Sequence, residues 1–392
     1  LDRIADTYGV IFVNSAGNLP SEQSRAPWPK KPNEVIRYFA NRTSPDTIYK
    51  PAESVRAISV GALNPPQEDR AHIAGAPTIY SRRGPGLQVG VKPDLAAYGG
   101  VGVKKPSGAT GLSSIDGNGV PTPVTGTSFA APLVTRSLAG LDAATEGGLS
   151  PEALRAMLIH GAQIPEPLTK RGLKDIARQF AGFGLPVAAQ DMLETDDHQI
   201  TLLFQSRLTI GEKKPVILRF PFTWPRSLSS NGACSGRARI TLVYSPPLDP
   251  AFGAEFVRIN LEASLKQRQA ENDKEGNPRY TTQIDAKFLP KRSGLAVPEK
   301  ALIDHGLKWW PVKQYGKTYN AHGESSQWRL EVTSLVRAEA MFPAEGVPFA
   351  VLLTIDDPGG TAPVFQEMQQ ALQASPVNAQ ALQTAFRVRP RQ

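Results

Sequence analysis

The residues with the clearest potential for chemistry are a serine and the short segment around it, Gly126-Thr127-Ser128-Phe129-Ala130-Ala131-Pro132. An apolar stretch with helical spacing follows, which predicts that Ser128 lies at a helix N-terminus. Free backbone N–H groups and the positive end of the helix dipole favour negative charge at such a position. A serine placed there suits a nucleophile whose transition state carries an oxyanion. An ordinary N-cap formed by Ser or Thr is the alternative interpretation of the same residues.

A second polar segment, Asn14-Ser15-Ala16-Gly17-Asn18, directly follows the apolar run Val10–Val13. A short run that is apolar at every position is typical of a buried parallel strand. Ligands bind at the C-terminal ends of strands in open α/β sheets. Asn18 is therefore a candidate residue of a ligand site.

The elements that must position these two segments have the order of an α/β domain. The pattern predicts a helix end at Leu1–Thr7 that Gly9 terminates, a short helix at Asn33–Ala40, and a buried strand at Ile58–Leu63. Further elements are a strand and turn within Lys92–Gly100, a loop from Gly108 to Pro123, the Ser128 helix to about Ala144, a helix capped by Ser150, and a short helix within Val187–Leu193.

After about Glu194 the apolar residues alternate with a period of two, which predicts an antiparallel β-sandwich. The predicted strands begin at Gln199, Pro215, Ala238, Arg258, Gln327 and Pro348, and Lys266–Pro278 is predicted to be a charged loop. The predicted domains are residues 1–193, a doubly wound and mostly parallel α/β part, and residues 194–362, the sandwich. Residues 363–392 form a Gln- and Ala-rich tail with helical spacing from Val364 to Phe386.

Composition narrows the classes of protein to which the chain can belong. The 392 residues are 40% hydrophobic and 20% charged, which suits packed domains. The net charge is +8, but the basic residues are scattered, so no nucleic-acid partner is expected. No apolar run approaches the ~20 residues of a membrane span. Cys234 is the only cysteine, which rules out an intrachain disulfide and fits a cytoplasmic or a secreted protein.

Taken together, the motifs resemble those of the subtilisin-like serine peptidases, or subtilases. Residues 126–132 resemble the nucleophile motif Gly-Thr-Ser-x-Ala-x-Pro, and Ala16-Gly17-Asn18 resembles the segment that carries the oxyanion asparagine. Tyr80–Pro85 contains a segment similar to Ser-x-Arg-Gly-Pro, and Lys92–Ala97 is similar to Lys-Pro-Asp-x-x-Ala. Gly182–Leu185 resembles the Gly-x-Gly closing segment. The resemblance covers roughly residues 1–193.

The resemblance implies a serine endopeptidase with a polypeptide substrate. Ser128 would be the nucleophile, and its backbone N–H and the Asn18 side chain would bind the oxyanion. Thr127 and Gly126 would support the nucleophile loop. Substrate would contact Val13, Asn14, Ser15, Ala16 and Gly17. The mechanism requires no cofactor, and the sequence contains no metal-ligand cluster. Subtilases often bind structural calcium, but their calcium loops have no counterpart that can be matched here.

The chain departs from the family pattern in two places. Ala97-Tyr98-Gly99 stands where Ala-Pro-Gly is usual, which predicts a differently shaped turn. The family order is Asp, His, Asn, Ser, and no motif for the catalytic Asp or His is present. The five histidines (His72, His160, His198, His305 and His322) are expected to be surface or core residues. The resemblance therefore implies that the chain acts with a partner, an N-terminal segment that bears Asp and His and is either cleaved or not recorded. Without that segment the fragment is expected to be inactive.

Three questions stay open at the sequence level. A catalytically inactive relative that acts as a binding or scaffolding module is an alternative to the peptidase, although the joint presence of Asn18 and Ser128 speaks against it. A Ser-Lys hydrolase that uses Lys104 or Lys105 is the least favoured alternative, because both lysines lie in a loop with no enforced geometry. Trp309, Trp310 and Trp328 could form a ligand platform, but packing in the core is the favoured interpretation.

Overall fold

A computed structural model describes the chain except residues 41–44, 49, 68–71, 87–89, 104, 146–147, 194–195, 213, 286–298 and 374–392. The described helices are α1 (Asp2–Tyr8), α2 (Pro32–Phe39), α3 (Thr127–Ala144), α4 (Pro151–His160), α5 (Lys174–Ala181), α6 (Ala189–Leu193), α7 (Glu299–Asp304) and α8 (Val364–Gln373). The first strands are β1 (Val13–Ser15), β2 (Ile58–Leu63), β3 (Leu95–Tyr98), β4 (Leu112–Ile115), β5 (Pro121–Val124), β6 (Gln199–Leu208) and β7 (Leu218–Thr223). The others are β8 (Ser229–Ser230), β9 (Ala233–Tyr244), β10 (Ile259–Asn272), β11 (Pro278–Ile284), β12 (Val312–His322), β13 (Gln327–Val336) and β14 (Val347–Asp356).

The chain divides into two compact units. The first contains Leu1–Ala144 and Gly161–Met192, and the second contains Thr145–His160 and Leu193–Gln392. The sequence-based boundary near residue 193 places α4 in the first domain, whereas its contacts group it with the strands of the second unit. The functional domain boundaries stay a prediction.

The first unit is built on a parallel sheet with the strand order β1-β2-β3. Every residue of β2 is buried, including the polar Ser59, as expected for a mostly apolar strand that is covered on both faces. Helix α3 packs on all three strands, and α5 packs on β2 and β3. The sheet and its helices form an α/β arrangement, as the sequence predicts for this part of the chain.

The prediction of a buried strand at Val10–Val13 is wrong in position and in burial. The strand is β1, which pairs Val13–Ser15 with Ile58–Val60, and its side chains are only half-buried. Within the described residues β1 has one strand neighbour, so it forms an edge of the sheet. The apolar residues Val10–Val13 mostly precede the strand, because the position of the strand is set by its hydrogen bonds with β2. As a result, Asn14 and Ser15 lie within the strand rather than after it.

The predicted loop Gly108–Pro123 contains a hairpin, formed by β4 and β5. Its turn is closed by Asp116, whose Oδ1 accepts the backbone N–H groups of Asn118 (2.9 Å) and Val120 (3.0 Å). An aspartate followed by glycine and asparagine is a strong turn signal. The polar composition therefore led to the prediction of a loop in place of two strands, although the turn that connects them could be predicted from the sequence.

The second unit contains two antiparallel sheets with the strand orders β11-β10-β13-β7 and β12-β9-β14-β6. Buried side chains from both sheets belong to one hydrophobic cluster. The predicted strand that begins at Pro215 is displaced to β7, and β11 and β12 were not predicted. The predicted loop Lys266–Pro278 is wrong for its first half, because β10 continues to Asn272. Lys266 lies opposite both Arg329 and Thr282, so ladder hydrogen bonds on two sides outweigh its charged composition.

The tryptophans of the second unit are buried, as the packing interpretation expects. Trp309, Trp310 and Trp328 are 9%, 2% and 1% exposed. The rings of Trp328 and Trp224 lie 4.6 Å apart between centroids, which is typical of a packed aromatic core. Trp328 Nε1–H also points at the sulfur of Cys234, 3.4 Å away, and Cys234 is fully buried.

Helix α4 begins as the sequence predicts, since Ser150 Oγ accepts the N–H of Ala153 at 3.2 Å. Residues Glu152–His160 are all buried, however, so the helix has no solvent face of the kind that an amphipathic pattern suggests. It packs on β14, β9 and β6. In the C-terminal tail, α8 agrees with the predicted helical spacing as far as Gln373, and the remainder of that prediction lies outside the described residues.

Candidate active site

Ser128 is exposed in the first turn of α3, directly after the backbone turn at Gly126. Gly126 has φ +149°, a conformation that residues with a side chain rarely adopt. Pro132 lies one turn further along the helix. Because proline has no N–H, the carbonyl of Ser128 lacks its usual helical donor. The helix therefore presents Ser128 at its N-terminal end, as its sequence predicts.

Asn18 lies against this helix start. Its Oδ1 accepts the Thr127 backbone N–H at 3.1 Å and the Thr127 hydroxyl at 2.8 Å. A backbone N–H can only donate, so the amide oxygen must face Thr127 and the amide NH₂ must point away from it. Within the part of the chain that the structure describes, this NH₂ group makes no hydrogen bond. The fold thus brings together two segments that are 109 residues apart.

The first turn of α3 leaves one further donor without an acceptor. The N–H groups of Phe129 and Ala130 both donate to the Gly126 carbonyl, at 3.1 and 3.3 Å, and the N–H of Thr127 donates to Asn18. The Ser128 N–H has no acceptor among the described residues. Two N–H donors beside a serine hydroxyl can bind an anionic oxygen. They are the two groups that the resemblance assigns to an oxyanion hole, and that assignment stays a prediction.

The nucleophile loop, which is the segment that leads through Gly126 to Ser128, is hydrogen-bonded to the turn after β3. The Gly126 N–H donates to the Gly99 carbonyl at 2.8 Å, and the Gly99 N–H donates to the Leu63 carbonyl at 2.9 Å. The hydroxyl of Tyr80 also reaches the Gly99 carbonyl, at 2.5 Å. Tyr80 directly precedes the segment that resembles Ser-x-Arg-Gly-Pro, and no pattern in the sequence signals this contact.

The five predicted substrate-binding residues form β1 and the turn after it. Val13, Asn14 and Ser15 are half-buried strand residues. Ala16 is 2% exposed and donates its N–H to Val60, whereas Gly17 has φ +94° and accepts the N–H of Arg82. The structure therefore places the five residues in one continuous segment that leads to Asn18.

Buried ion pairs anchor the two motifs that resemble Ser-x-Arg-Gly-Pro and Lys-Pro-Asp. Arg83 Nε donates to Asp46 at 2.9 Å, and Arg25 binds the same carboxylate at 2.7 Å. Burial lowers the pKa of Arg25 to about 10, although Asp46 opposes the shift. Lys92 pairs with Asp94, which also accepts the Ser59 N–H at 2.8 Å. These groups are largely buried and pair with one another, so they act as structural anchors.

None of the described contacts of the histidines indicates a catalytic base. His72, the one histidine of the first unit, has its Nε2 within 2.8 Å of the Gln67 carbonyl. In the second unit, His198 contacts the Ala362 carbonyl, His322 contacts Gln283, and His160 lies between two threonines. His305 follows α7 and is half-buried.

The lysines of the Ser-Lys alternative add nothing to the site. Lys105 is exposed, and Lys104 lies outside the described residues. Over the described ranges no group of three or more His, Cys, Asp or Glu side chains could hold a metal ion. No helix in those ranges is long and apolar enough to cross a membrane.

Comparisons with known proteins place part of the chain among its relatives. The chain is 29% identical over 276 residues to the uncharacterized protein y4bN of Sinorhizobium fredii (strain NBRC 101917 / NGR234). That match covers 63% of this chain and 62% of the length of the relative. Because this relative is uncharacterized, the match shows similarity of sequence and gives no information about activity.

The solved structures that match do so weakly. The structure of infectious bursal disease virus Gx strain matches with a TM-score of 0.18 and 12% identity, over 43% of this chain and 32% of that chain. The C-terminal domain of EclA, a sugar-binding protein, matches with a TM-score of 0.16 and 14% identity, over 43% of this chain and 85% of that one. Similarity at this level carries no argument about fold or function.

The family comparison agrees with the motifs around Asn18 and Ser128. Residues 1–184 match the sequence profile of Peptidase S8, the subtilase family. The matched range includes the parallel sheet, α3 and both candidate oxyanion donors, and it ends within the predicted closing segment at Gly184. Subtilases are in general serine peptidases. Residues 1–184 of this chain are therefore similar to the subtilase family.

Proposed function

We propose that the chain carries the nucleophile and the oxyanion-stabilising groups of a subtilisin-like serine endopeptidase that cleaves polypeptides. The observation that carries the proposal is the contact of Asn18 Oδ1 with both donors of Thr127. This contact fixes the orientation of the Asn18 amide relative to the residue that precedes Ser128. It leaves the Asn18 NH₂ and the Ser128 N–H available to one ligand oxygen.

In the proposed reaction, Ser128 Oγ attacks the carbonyl carbon of a peptide bond while a histidine takes the hydroxyl proton. The carbonyl electron pair moves onto oxygen, and the Ser128 N–H and the Asn18 amide donate to this oxyanion. When the carbonyl re-forms, the C–N bond breaks and the histidine returns its proton to the amine. Water then hydrolyses the acyl-enzyme by the same sequence, which releases the acid and regenerates Ser128.

The base that this reaction needs is proposed to come from a segment that bears Asp and His. His72 is engaged with the Gln67 carbonyl, and the other four histidines belong to the second unit. A serine without a base is a weak nucleophile. The polypeptide described here is therefore proposed to be inactive by itself and to act together with that segment. No cofactor is proposed. A structural calcium ion would need other ligands than a group of three or more His, Cys, Asp or Glu side chains, since the described ranges contain no such group.

Substrate positioning is proposed for the segment Val13–Gly17. Within the described residues β1 has β2 as its one strand neighbour. An unpaired strand edge can accept an extended peptide as an added strand, which supplies backbone hydrogen bonds without demanding a particular side chain. The half-buried side chains of β1 would then line the pocket beside the scissile bond.

The second unit is proposed to be a β-sandwich accessory domain, formed by its two antiparallel sheets. The support is the single hydrophobic cluster to which buried residues of both sheets contribute. We propose a packing role for Trp309, Trp310 and Trp328, since all three are buried.

An active-site-directed fluorophosphonate tests the proposed function. The protein in its natural full-length form should be labelled at Ser128, as read by mass spectrometry of the modified peptide. The Ser128→Ala variant should take up no label while its circular dichroism stays unchanged. A folded wild-type protein that takes up no label would overturn the proposal.

A catalytically inactive binding or scaffolding module is the second candidate. The contact of His72 Nε2 with the Gln67 carbonyl favours it, because His72 is the one histidine in the sequence of the first unit. The two candidates differ in the residues of the natural protein outside this chain: an Asp and a His in family-like motifs indicate the peptidase. Their absence, together with a lack of labelling, indicates the module.

A further inference from the structure

Tyr80 occupies a central position behind the proposed active site. It is 6% exposed, and its hydroxyl lies 2.5 Å from the Gly99 carbonyl oxygen and 3.0 Å from that of Gly100. Burial raises the pKa of this phenol well above its usual value, so the group stays protonated throughout the neutral range. The hydroxyl is therefore a permanent neutral donor to the turn after β3.

The turn that Tyr80 contacts is the one that holds the nucleophile loop. The Gly99 carbonyl accepts the Gly126 N–H at 2.8 Å as well as the Tyr80 hydroxyl. Gly126 is separated from Ser128 by Thr127 alone. A displacement of the Gly99 carbonyl would thus be transmitted through one hydrogen bond to the start of α3.

The backbone of the same residue holds the other half of the site. The Tyr80 carbonyl accepts the N–H of Leu19 at 2.7 Å, and Leu19 directly follows Asn18. The next residue, Ser81, forms an isolated β-bridge with Asn18 itself. Tyr80 consequently contacts the Asn18 segment through its main chain and the Gly126 loop through its side chain.

The surrounding glycines leave room for this side chain. A Cβ atom at Gly102 would lie 2.3 Å from Cδ1 of the Tyr80 ring, and one at Gly99 would lie 2.8 Å from its hydroxyl oxygen. Gly100 and Gly102 have φ +78° and +90°, so the turn also needs glycine for its backbone. This is the turn at which Ala97-Tyr98-Gly99 departs from the usual Ala-Pro-Gly. The altered turn and the tyrosine therefore fit each other sterically.

We propose that Tyr80 is a positioning residue that sets the distance between the two oxyanion donors, Asn18 and the N-terminal end of α3. The inference rests on the proposed peptidase function. Tyr80 touches neither substrate nor the reacting atoms, and it acts through the Gly99 carbonyl. A change in its hydroxyl should alter the chemical step, whereas peptide binding along β1 should stay intact.

The test compares Tyr80→Phe with wild type in the natural full-length protein. The variant removes one oxygen atom, and we expect kcat to fall about tenfold because a small displacement of catalytic groups is costly. We expect KM to stay within about twofold, since binding along β1 does not depend on the hydroxyl. The rate of fluorophosphonate labelling should fall in parallel with kcat, with the circular dichroism spectrum unchanged.

Tyr98→Phe is the matched control. Tyr98 lies in β3, is half-buried, and its hydroxyl makes no hydrogen bond with the residues that the structure describes. Its loss should leave kcat and KM unchanged. Tyr80→4-aminophenylalanine provides the rescue, because the amino group restores a donor at the position of the hydroxyl and should return kcat to within about threefold of wild type.

The outcomes separate the two proposals. An active wild type with an unchanged kcat in Tyr80→Phe, or with a raised KM alone, overturns the role of Tyr80. A wild type that neither cleaves nor takes up label overturns the peptidase function and this inference with it. If Tyr80→Phe does not fold, the 4-aminophenylalanine variant decides, and a tenfold loss of kcat in that variant overturns the inference.

Discussion

The Asn18 side chain presents two chemically different atoms to the start of α3. The oxygen accepts hydrogen bonds from Thr127, and we propose that the NH₂ group donates to the oxyanion. These roles can be separated experimentally because an aspartate has the same shape but no donor.

Asn18→Asp should retain the contacts with Thr127 and lose catalysis. The carboxylate would repel a developing oxyanion, so kcat should fall by at least about 10²–10³, the range known for loss of this donor in subtilisin rather than a value obtained from the present geometry. The measurement is kcat with a peptide substrate, together with the thermal unfolding midpoint. A variant with wild-type kcat would show that Asn18 is not an oxyanion donor.

Thr127 provides a second test at this scale. Thr127→Val removes the hydroxyl that donates to Asn18 at 2.8 Å but keeps the backbone N–H contact, and Thr127→Ser keeps both. A buried hydrogen bond to a neutral acceptor contributes about 0.5–1.5 kcal/mol, so the valine variant should lose about two- to tenfold in kcat. The serine variant is the control and should stay close to wild type. A loss in the serine variant with none in the valine variant would indicate a packing effect of the methyl group instead of the hydrogen bond.

The candidate residues could be predicted to different extents. Ser128 and Asn18 were identifiable because their neighbours in sequence form recognisable motifs. Tyr80 was not, because its role depends on a carbonyl 19 residues away and on a third segment that begins at Gly126. Contacts between segments that are distant in the chain leave no local pattern to read.

At the scale of single elements, α4 is unusual because its C-terminal residue is a fully buried histidine. His160 Nδ1 lies 2.8 Å from Thr241 Oγ1 on β9, and Nε2 lies 2.6 Å from Thr354 Oγ1 on β14. Burial, and secondarily the charge of Arg239, lowers the pKa of His160 well below 6.5. The folded protein therefore holds this imidazole neutral where the unfolded chain would protonate it.

This linkage gives the protein an acid-sensitive stability. Because the unfolded chain binds a proton below about pH 6.5 and the folded protein does not, the contribution of His160 is complete above that pH and is lost as the pH falls. The free energy of unfolding of wild type should decrease relative to His160→Gln by up to about 1.4 kcal/mol per pH unit. Chemical denaturation at pH 7.5 and pH 5.5 measures the difference. Parallel pH dependence of the two proteins would contradict the assignment.

The failure to predict β12 from the sequence has a physical cause. Strand β12 contains Lys313, which is 1% exposed and donates to Asn260 Oδ1 at 2.6 Å. Burial lowers the pKa of this lysine to about 7. An inward-facing lysine breaks the alternation on which strand prediction depends. By contrast, β2 and α3 were predictable, because β2 is a mostly apolar run and α3 has a recognisable start.

At the scale of the whole molecule, each of the two units has a hydrophobic cluster of its own among the described residues. One cluster of the first unit contains Trp28, Phe39 and Phe180, and the large cluster of the second contains Trp224 and Trp328. The residues that resemble subtilase motifs lie in the first unit.

Destabilisation should therefore be confined to the unit in which a core residue is removed. Trp328→Ala is expected to cost about 3–5 kcal/mol and to lower amide hydrogen-exchange protection in β9, β10 and β13. Trp28→Ala is the reciprocal control and should lower protection in β2 and β3. A uniform loss of protection across both units in either variant would show that the chain unfolds as a single cooperative body.

The buried sulfur of Cys234 has a practical consequence for such measurements. It is the only thiol in the sequence, it is fully buried beside Trp328, and burial raises its pKa. A thiolate-selective reagent can therefore react only with molecules in which the strands around it have opened. The rate at which the Cys234 thiol reacts therefore measures how often the second unit opens, without any added label or substitution.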